Sequence, residues 1–171
     1  VTDQSSTTAD IVAKALTATA STANKTYNRS TTATTTLTFT GLIGSETLGQ
    51  TVGSTFDNKN VGSGKTVTVN SITLADGSNG GLATNYSISA GQTTTANITA
   101  KSLTVSGITS SNKTYDGNTV ATLDSSSVAY SGLIGSDIFN GTYTGAFSDK
   151  NVGSSKTVTI TSSYTGADVG N

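Results

Sequence analysis

Cysteine, histidine, methionine and tryptophan are all missing from the 171 residues of this chain. Without cysteine there is neither a disulfide framework nor a thiolate site. Without histidine the chain lacks the side chain that most often carries acid–base chemistry near neutral pH. Charge is scarce as well: 9 basic and 10 acidic residues leave a net charge of -1. Phosphate backbones are held by clustered lysine and arginine, and these are scattered, so nucleic acid is not an expected partner. Apolar runs are as short as Ile11-Val12-Ala13, so no segment reads as a membrane span.

Hydrophobic residues make up 33% and aromatics 6%, which predicts a thin core. Disordered chains of similar hydrophobicity carry high charge, and this one is only 11% charged. Threonine, serine, glycine and asparagine take up the difference, and they suit many short strands joined by tight polar turns.

An internal repeat organises the chain. Ala9-Asp10-Ile11-Val12-Ala13-Lys14-Ala15-Leu16-Thr17 returns as Ala96-Asn97-Ile98-Thr99-Ala100-Lys101-Ser102-Leu103-Thr104, an offset of 87. Asn24-Lys25-Thr26-Tyr27-Asn28 returns as Asn112-Lys113-Thr114-Tyr115-Asp116 at 88. Gly41-Leu42-Ile43-Gly44-Ser45 and Phe56-Asp57-Asn58-Lys59-Asn60-Val61-Gly62-Ser63 return at 91, from Gly132 and Phe147. The offset grows between predicted strands, where loops absorb insertions.

This register divides the chain into a closing strand of a preceding or neighbouring module (1–8), a first module (9–95) and a second (96–171) without its closing strands. Asn171 aligns with Asn85, and Val1–Thr8 with Ile88–Thr95. The expectation is one period of a longer array, or a Val1–Ala18 segment that completes a neighbour. Intact mass of the native polypeptide tests it.

Alternation with a period of two marks strands with one buried face: Leu37 and Phe39, Val67 and Val69, Tyr86 and Ile88, Ala96 with Ile98 and Ala100, Val128 and Tyr130, Val158 and Ile160. Between Lys65 and Leu74 the apolar phase switches, which predicts a bulge or bend near Asn70-Ser71. Turns are expected at Asp76-Gly77, Asn79-Gly80-Gly81, Asp116-Gly117 and Asn140-Gly141. Helix is expected nowhere, beyond a turn near Ala13. The fold class is all-β: tandem small β-sandwich modules of immunoglobulin-like build, stiffly joined in a rod, with Tyr86 at a tyrosine-corner position. The alternative is a β-grasp-like module with one short helix.

Candidate chemistry is thin. The acidic residues are dispersed, mostly in turns, so neither an enzyme nor a cofactor is expected. Asp116, Asp137 and Asp149 are the calcium candidates, weighed against plain turn chemistry because their counterparts include Asn28, Glu46 and Asn58. Lys59-Asn60-Val61-Gly62 and Lys150-Asn151-Val152-Gly153 offer a Lys–Asn isopeptide cross-link or, preferred here, a hairpin turn. Asn24, Asn28, Asn85, Asn97, Asn112 and Asn140 each open an Asn-x-Ser/Thr sequon. Tyr130, Tyr143 and Tyr164 suit a sugar platform or ordinary strand packing.

Lys113-Thr114-Tyr115-Asp116-Gly117, then Gly132-Leu133-Ile134-Gly135-Ser136-Asp137, then Lys150-Asn151-Val152-Gly153, with Ala100-Lys101-Ser102-Leu103-Thr104 before them, together resemble the repeated YDG-type module of bacterial surface proteins. Lys25, Tyr27, Lys59, Asn60 and Gly62 hold the matching positions of the first copy. The copy departs at Asn28-Arg29, where Asp116-Gly117 stands later, which favours a turn over a ligand site. Ala13 and Ala100 stand where family members often carry proline. Such modules resemble those of long filamentous-haemagglutinin-like adhesins exported by two-partner secretion.

The resemblance implies a secreted or cell-surface structural repeat that forms an extended stalk or fibre. The alternative is a self-assembling filament subunit held by strand donation or edge pairing; a carbohydrate-binding module ranks below both. The implied partners are neighbouring copies of the module and host or surface glycans, in an extracellular setting.

Overall fold

The computed structural model describes residues 5–171. It is all-β, with a single short 3-10 turn at Ala83–Asn85. Contacts divide it into two units: residues up to Thr26 with Ser30–Thr99, and Tyr27–Arg29 with Ala100–Asn171. Among the described residues no helix is long and apolar enough to cross a membrane, which says nothing of a β-barrel.

The first unit runs β1 (Lys14–Ala15), β2 (Thr17–Thr22), β3 (Lys25–Thr26), β4 (Thr35–Thr40), β5 (Leu48–Phe56), β6 (Gly62–Asp76), β7 (Tyr86–Ser87) and β8 (Thr93–Thr99). One sheet has the order β3-β8-β6-β5, while β2 pairs with β4 and β1 with β7. Alternation decides which side chains meet. Leu37 on β4, Val67 and Val69 on β6, and Ala96 and Ile98 on β8 are buried, and the intervening threonines are exposed or half-exposed. Leu16, Ala33, Phe56 and Tyr86 complete this core.

Gln50 joins the two larger sheets by standing in for a strand backbone: its Oε1 accepts the Leu37 N–H at 3.0 Å and its Nε2 donates to the Leu37 carbonyl at 2.7 Å. The buried Ser54 hydroxyl donates to the Ala33 carbonyl at 3.1 Å, so its burial leaves no orphaned donor.

The bulge falls where the apolar phase switches. Gly53 pairs with Ser71 and Ser54 with Val69, so Asn70 is the extra residue on β6. An odd insertion moves every later side chain to the other face, which brings Ile72 and Leu74 into phase.

The second unit runs β9 (Thr104–Ser106), β10 (Thr109–Ser110), β11 (Val120–Ala121), β12 (Leu123–Asp124), β13 (Ala129–Ser131), β14 (Asn140–Phe147) and β15 (Val158–Thr165). β11, β14 and β15 form a sheet in that order, with β10–β12 and β9–β13 as separate pairs. Its core is poorer: Ala121 is buried, whereas Val158 and Phe147 are half-buried and Ile160 is 39% exposed.

Several local expectations change. Val1–Gln4 of the expected closing strand over 1–8 lie outside the described residues; Ser5–Thr8 are exposed and in no strand. The turn near Ala13 is absent, because Lys14–Ala15 are extended against β7. Asn140-Gly141 is the start of β14 and no turn; a side chain on Gly141 would overlap the hydroxyls of Tyr130 and Tyr143, so glycine is there for space.

Candidate functional site

The repeated motifs converge on one feature in each unit: two lysines that grip two turns at the edge of a sheet. In the first unit Lys25 opens β3 beside a loop whose carbonyls would otherwise lack donors. Its Nζ donates to the Ser30 carbonyl at 2.6 Å and the Thr32 carbonyl at 3.0 Å, and lies 5.5 Å from the Phe56 ring centroid. Partial burial lowers its pKa, since water no longer solvates the ammonium fully.

In the second unit Lys113 repeats the arrangement. Its Nζ donates to the carbonyls of Asn118 and Val120 at 3.0 and 3.1 Å, pairs with Asp116 at 2.7 Å, and stands 5.9 Å from the Phe147 centroid.

The second lysine of each pair is Lys65 or Lys156. Lys65 is 9% exposed, and its Nζ reaches Asp57 at 2.8 Å and the Asn58 Oδ1 at 2.7 Å. Lys156 pairs with Asp149 and donates to the Asn151 carbonyl at 2.7 Å. Neither lysine was singled out in the sequence. The signal was present: Lys65 stands in phase with Val67 and Val69, which places it on the buried face of β6.

These contacts hold the turn carboxylates in the charged form. Hydrogen bonding to Lys65, Lys113 and Lys156 is the largest cause of the lowered pKa of Asp57, Asp116 and Asp149, with backbone N–H donors adding to it. The calcium candidates therefore do not assemble. Asp116 and Asp149 are each neutralised by their own lysine, and Asp137 is held by Arg29 Nε at 3.2 Å within the second unit. Among the described residues no three acidic side chains share a site.

Lys59-Asn60 and Lys150-Asn151 both lie in connections between paired strands, β5 to β6 and β14 to β15. Lys59 and Asn60 are neighbours in an Asx-type turn, in which the Asn60 N–H donates to Asn58 Oδ1 at 3.0 Å. Asn151 does the same to Asp149 at 2.7 Å, with Lys150 exposed beside it. Asparagine carboxamides are met by other lysines, Asn58 by Lys65 at 2.7 Å and Asn118 by Lys113 at 2.9 Å. Gly62 faces Ile98 across the ladder, and Gly153 is exposed.

The tyrosines of the repeated motif part company. Tyr27 is buried, and its hydroxyl donates to Asp137 at 3.1 Å and Asp168 at 3.2 Å; Tyr115 is 58% exposed. Two residues after each tyrosine the backbone has one shape in both copies: φ is 79° at Gly117 and 64° at Arg29. The left-handed turn is thus common to both copies, and only the glycine takes it without strain.

Among the sequons, the Asn24 Oδ1 accepts the Asn97 N–H at 2.7 Å and the Asn97 Oδ1 accepts the Gly64 N–H at 2.8 Å, so these two carboxamides are built into the strand edge. Asn28, Asn85, Asn112 and Asn140 are exposed.

Tyr130, Tyr143 and Tyr164 do not form a flat platform. Phe139 packs edge-on to Tyr130 with centroids 5.0 Å apart, and Tyr164 lies 4.9 Å from Phe139. The Tyr130 and Tyr143 hydroxyls are 2.8 Å apart, and burial pushes the Tyr143 pKa up to about 12.

A family model described as YDG domain matches residues 12–96 and again residues 99–171. No curated protein and no solved structure matches the chain.

Proposed function

The chain belongs to the YDG domain family, and on that footing we propose that it is a structural repeat of a secreted or cell-surface bacterial adhesin, built into an extracellular stalk or fibre, and not an enzyme. One observation carries the reading: the side chains that recur between copies act on the fold itself. Lys25 and Lys113 tie down loop carbonyls, Lys65 and Lys156 neutralise turn acids, and the recurring glycines shape turns. A polar repeat in which the turn acids Asp57, Asp116 and Asp149 are already matched by lysines suits a soluble spacer, which needs only turns that stay folded and a surface that does not stick.

In this reading each module is a small β-sandwich of immunoglobulin-like build. Tyr86 supports it: the hydroxyl accepts the Ile43 N–H at 3.1 Å and so ties a distant loop to the strand, as a tyrosine corner does. The carbohydrate-binding alternative has less support, because the second unit's tyrosines turn their rings on one another.

Electron microscopy of the native parent protein tests the stalk. Extended threads whose length grows with the number of modules are expected. Compact particles of unchanging size would sink the reading.

A further inference from the structure

The turn after β6 is fastened to a loop distant in sequence by an asparagine whose own chemistry undoes the fastening. Ser78–Gly81 closes tightly: the Gly81 N–H donates to the Ser78 carbonyl at 3.2 Å, and φ is positive at both central residues, 56° at Asn79 and 87° at Gly80. Hydrogen bonds tie this turn to the residues before β5. Asn79 Nδ2 donates to the Ser45 carbonyl at 2.8 Å, the Thr47 N–H to the Ser78 carbonyl at 3.1 Å, and the Ser78 N–H to Thr47 Oγ1 at 2.8 Å. The backbones touch here. A Cβ on Gly77 or Gly81 would stand 2.0 Å from the Thr47 carbonyl oxygen.

An asparagine followed by glycine reacts with its own backbone, because glycine has no side chain to hold its nitrogen away from the preceding carboxamide. The chain has two such pairs, Asn79-Gly80 and Asn140-Gly141. The fold separates them. Asn140 and Gly141 are extended in β14 opposite Thr165 and Tyr164, with the Tyr130 and Tyr143 hydroxyls crowding Gly141. Asn79 and Gly80 are exposed, and the Gly80 N–H has no acceptor among the described residues.

We propose that Asn79 is a self-modifying site whose deamidation releases the Ser45–Thr47 segment. The Gly80 nitrogen, its proton lost to water, attacks Asn79 Cγ. The Cγ–Nδ2 bond breaks, and the nitrogen takes a proton from water and leaves as ammonia. The five-membered succinimide that remains is opened by water at either carbonyl, giving aspartate, or isoaspartate in which the main chain runs through the old side chain. Water is the co-reactant throughout.

Both products lose the Nδ2 donor, so a carboxylate replaces it beside the Ser45 carbonyl, two acceptors with no proton between them. Glu46 Oε1 stands 3.9 Å from where a Cβ on Gly80 would be, so the new charge also forms near an existing one. Isoaspartate adds a carbon to the backbone, which a turn packed this closely on Thr47 does not absorb. The Gly41–Ser45 loop is then left to the Tyr86 hydroxyl, which accepts the Ile43 N–H. This chemistry proceeds whether or not the protein is a stalk.

Incubation of the full chain at neutral and mildly alkaline pH, with peptide mapping by mass spectrometry that separates aspartate from isoaspartate, tests the site. Amide-to-acid conversion at Asn79 is expected, faster at the higher pH, while Asn140 stays an amide; chain unfolded in guanidinium should convert at both. An Asn79 that survives in the folded chain while the unfolded chain converts overturns the proposal. So does folded-state conversion at Asn140 as fast as at Asn79.

The Asn79→Asp variant carries one product from the outset and, on an exposed turn, leaves the core intact. Faster hydrogen exchange at the Thr47 and Gly81 amides is expected, with Val67 and Ile98 unchanged. Parental exchange at Thr47 in N79D would overturn the release.

Discussion

Lys25 holds its ammonium 5.5 Å from the centre of the Phe56 ring while donating to two loop carbonyls, and Lys113 stands 5.9 Å from Phe147 in the same way. One residue thus satisfies a loop and covers an aromatic face. Substitution Lys25→Met keeps the aliphatic stem and removes the donors. Charged hydrogen bonds contribute about 1.5–3 kcal/mol each in mutational series. Because the loop carbonyls regain water at this half-buried position, a loss of about 1–3 kcal/mol in total is expected, read from urea unfolding followed by tyrosine fluorescence.

Tyr86 is placed to test whether a single hydroxyl fixes the Gly41–Ser45 loop. It donates to Glu46 and accepts the Ile43 N–H at 3.1 Å. The bond to Glu46 is the largest cause of its raised pKa. Tyr86→Phe leaves the ring in place and orphans that N–H. A fall of several degrees in the melting midpoint is expected, with faster amide exchange at Ile43; unchanged exchange there would show that the loop holds itself.

Asp57, Asp116 and Asp149 give a pH signature. Each has its folded pKa lowered from 3.8, chiefly by its lysine. A lowered carboxylate pKa contributes stability that is present above the unfolded value and lost as pH falls through the folded one. Thermal midpoints should stay level between about pH 7 and pH 5 and fall below about pH 4. Asp149→Asn should shallow that fall, and high salt should blunt it, since these pairs are exposed. A midpoint that begins to fall near pH 6 would point to other groups.

At the alkaline end Tyr143 dominates, its pKa pushed up to about 12 by burial and by the Tyr130 hydroxyl. A raised folded pKa contributes stability that is present below the unfolded value, near 10, and lost as pH climbs through the folded one. Ultraviolet titration should therefore show a late phenolate step that coincides with loss of structure. Tyr143→Phe should abolish that step.

Much of this was legible because period-two alternation and repeat register are local signals. Val67, Val69, Ala96 and Ile98 were readable as buried, and the phase switch located the bulge at Asn70. What escaped depends on partners distant in sequence. Lys65 shares the buried phase of Val67 and Val69, but the sequence does not show that Asp57 and Asn58 fold back against it. The three calcium candidates were grouped by residue type, and only the fold shows that each meets its own cation. Asn140-Gly141 had turn chemistry, but the space behind Gly141 was already taken by two tyrosine hydroxyls.

Ile98 and Ile11 form the sharpest pair, because repeat register makes them one position in two settings. Ile98, on β8, is 1% exposed, whereas Ile11 is 102% exposed. Isoleucine-to-alanine truncation in a packed core costs about 2–5 kcal/mol through lost transfer energy and the cavity left behind. At dilute concentration Ile98→Ala should lose about that much stability, and Ile11→Ala should lose none, since no packing is removed. Equal losses from the two truncations would show that burial of Ile98 contributes nothing to stability.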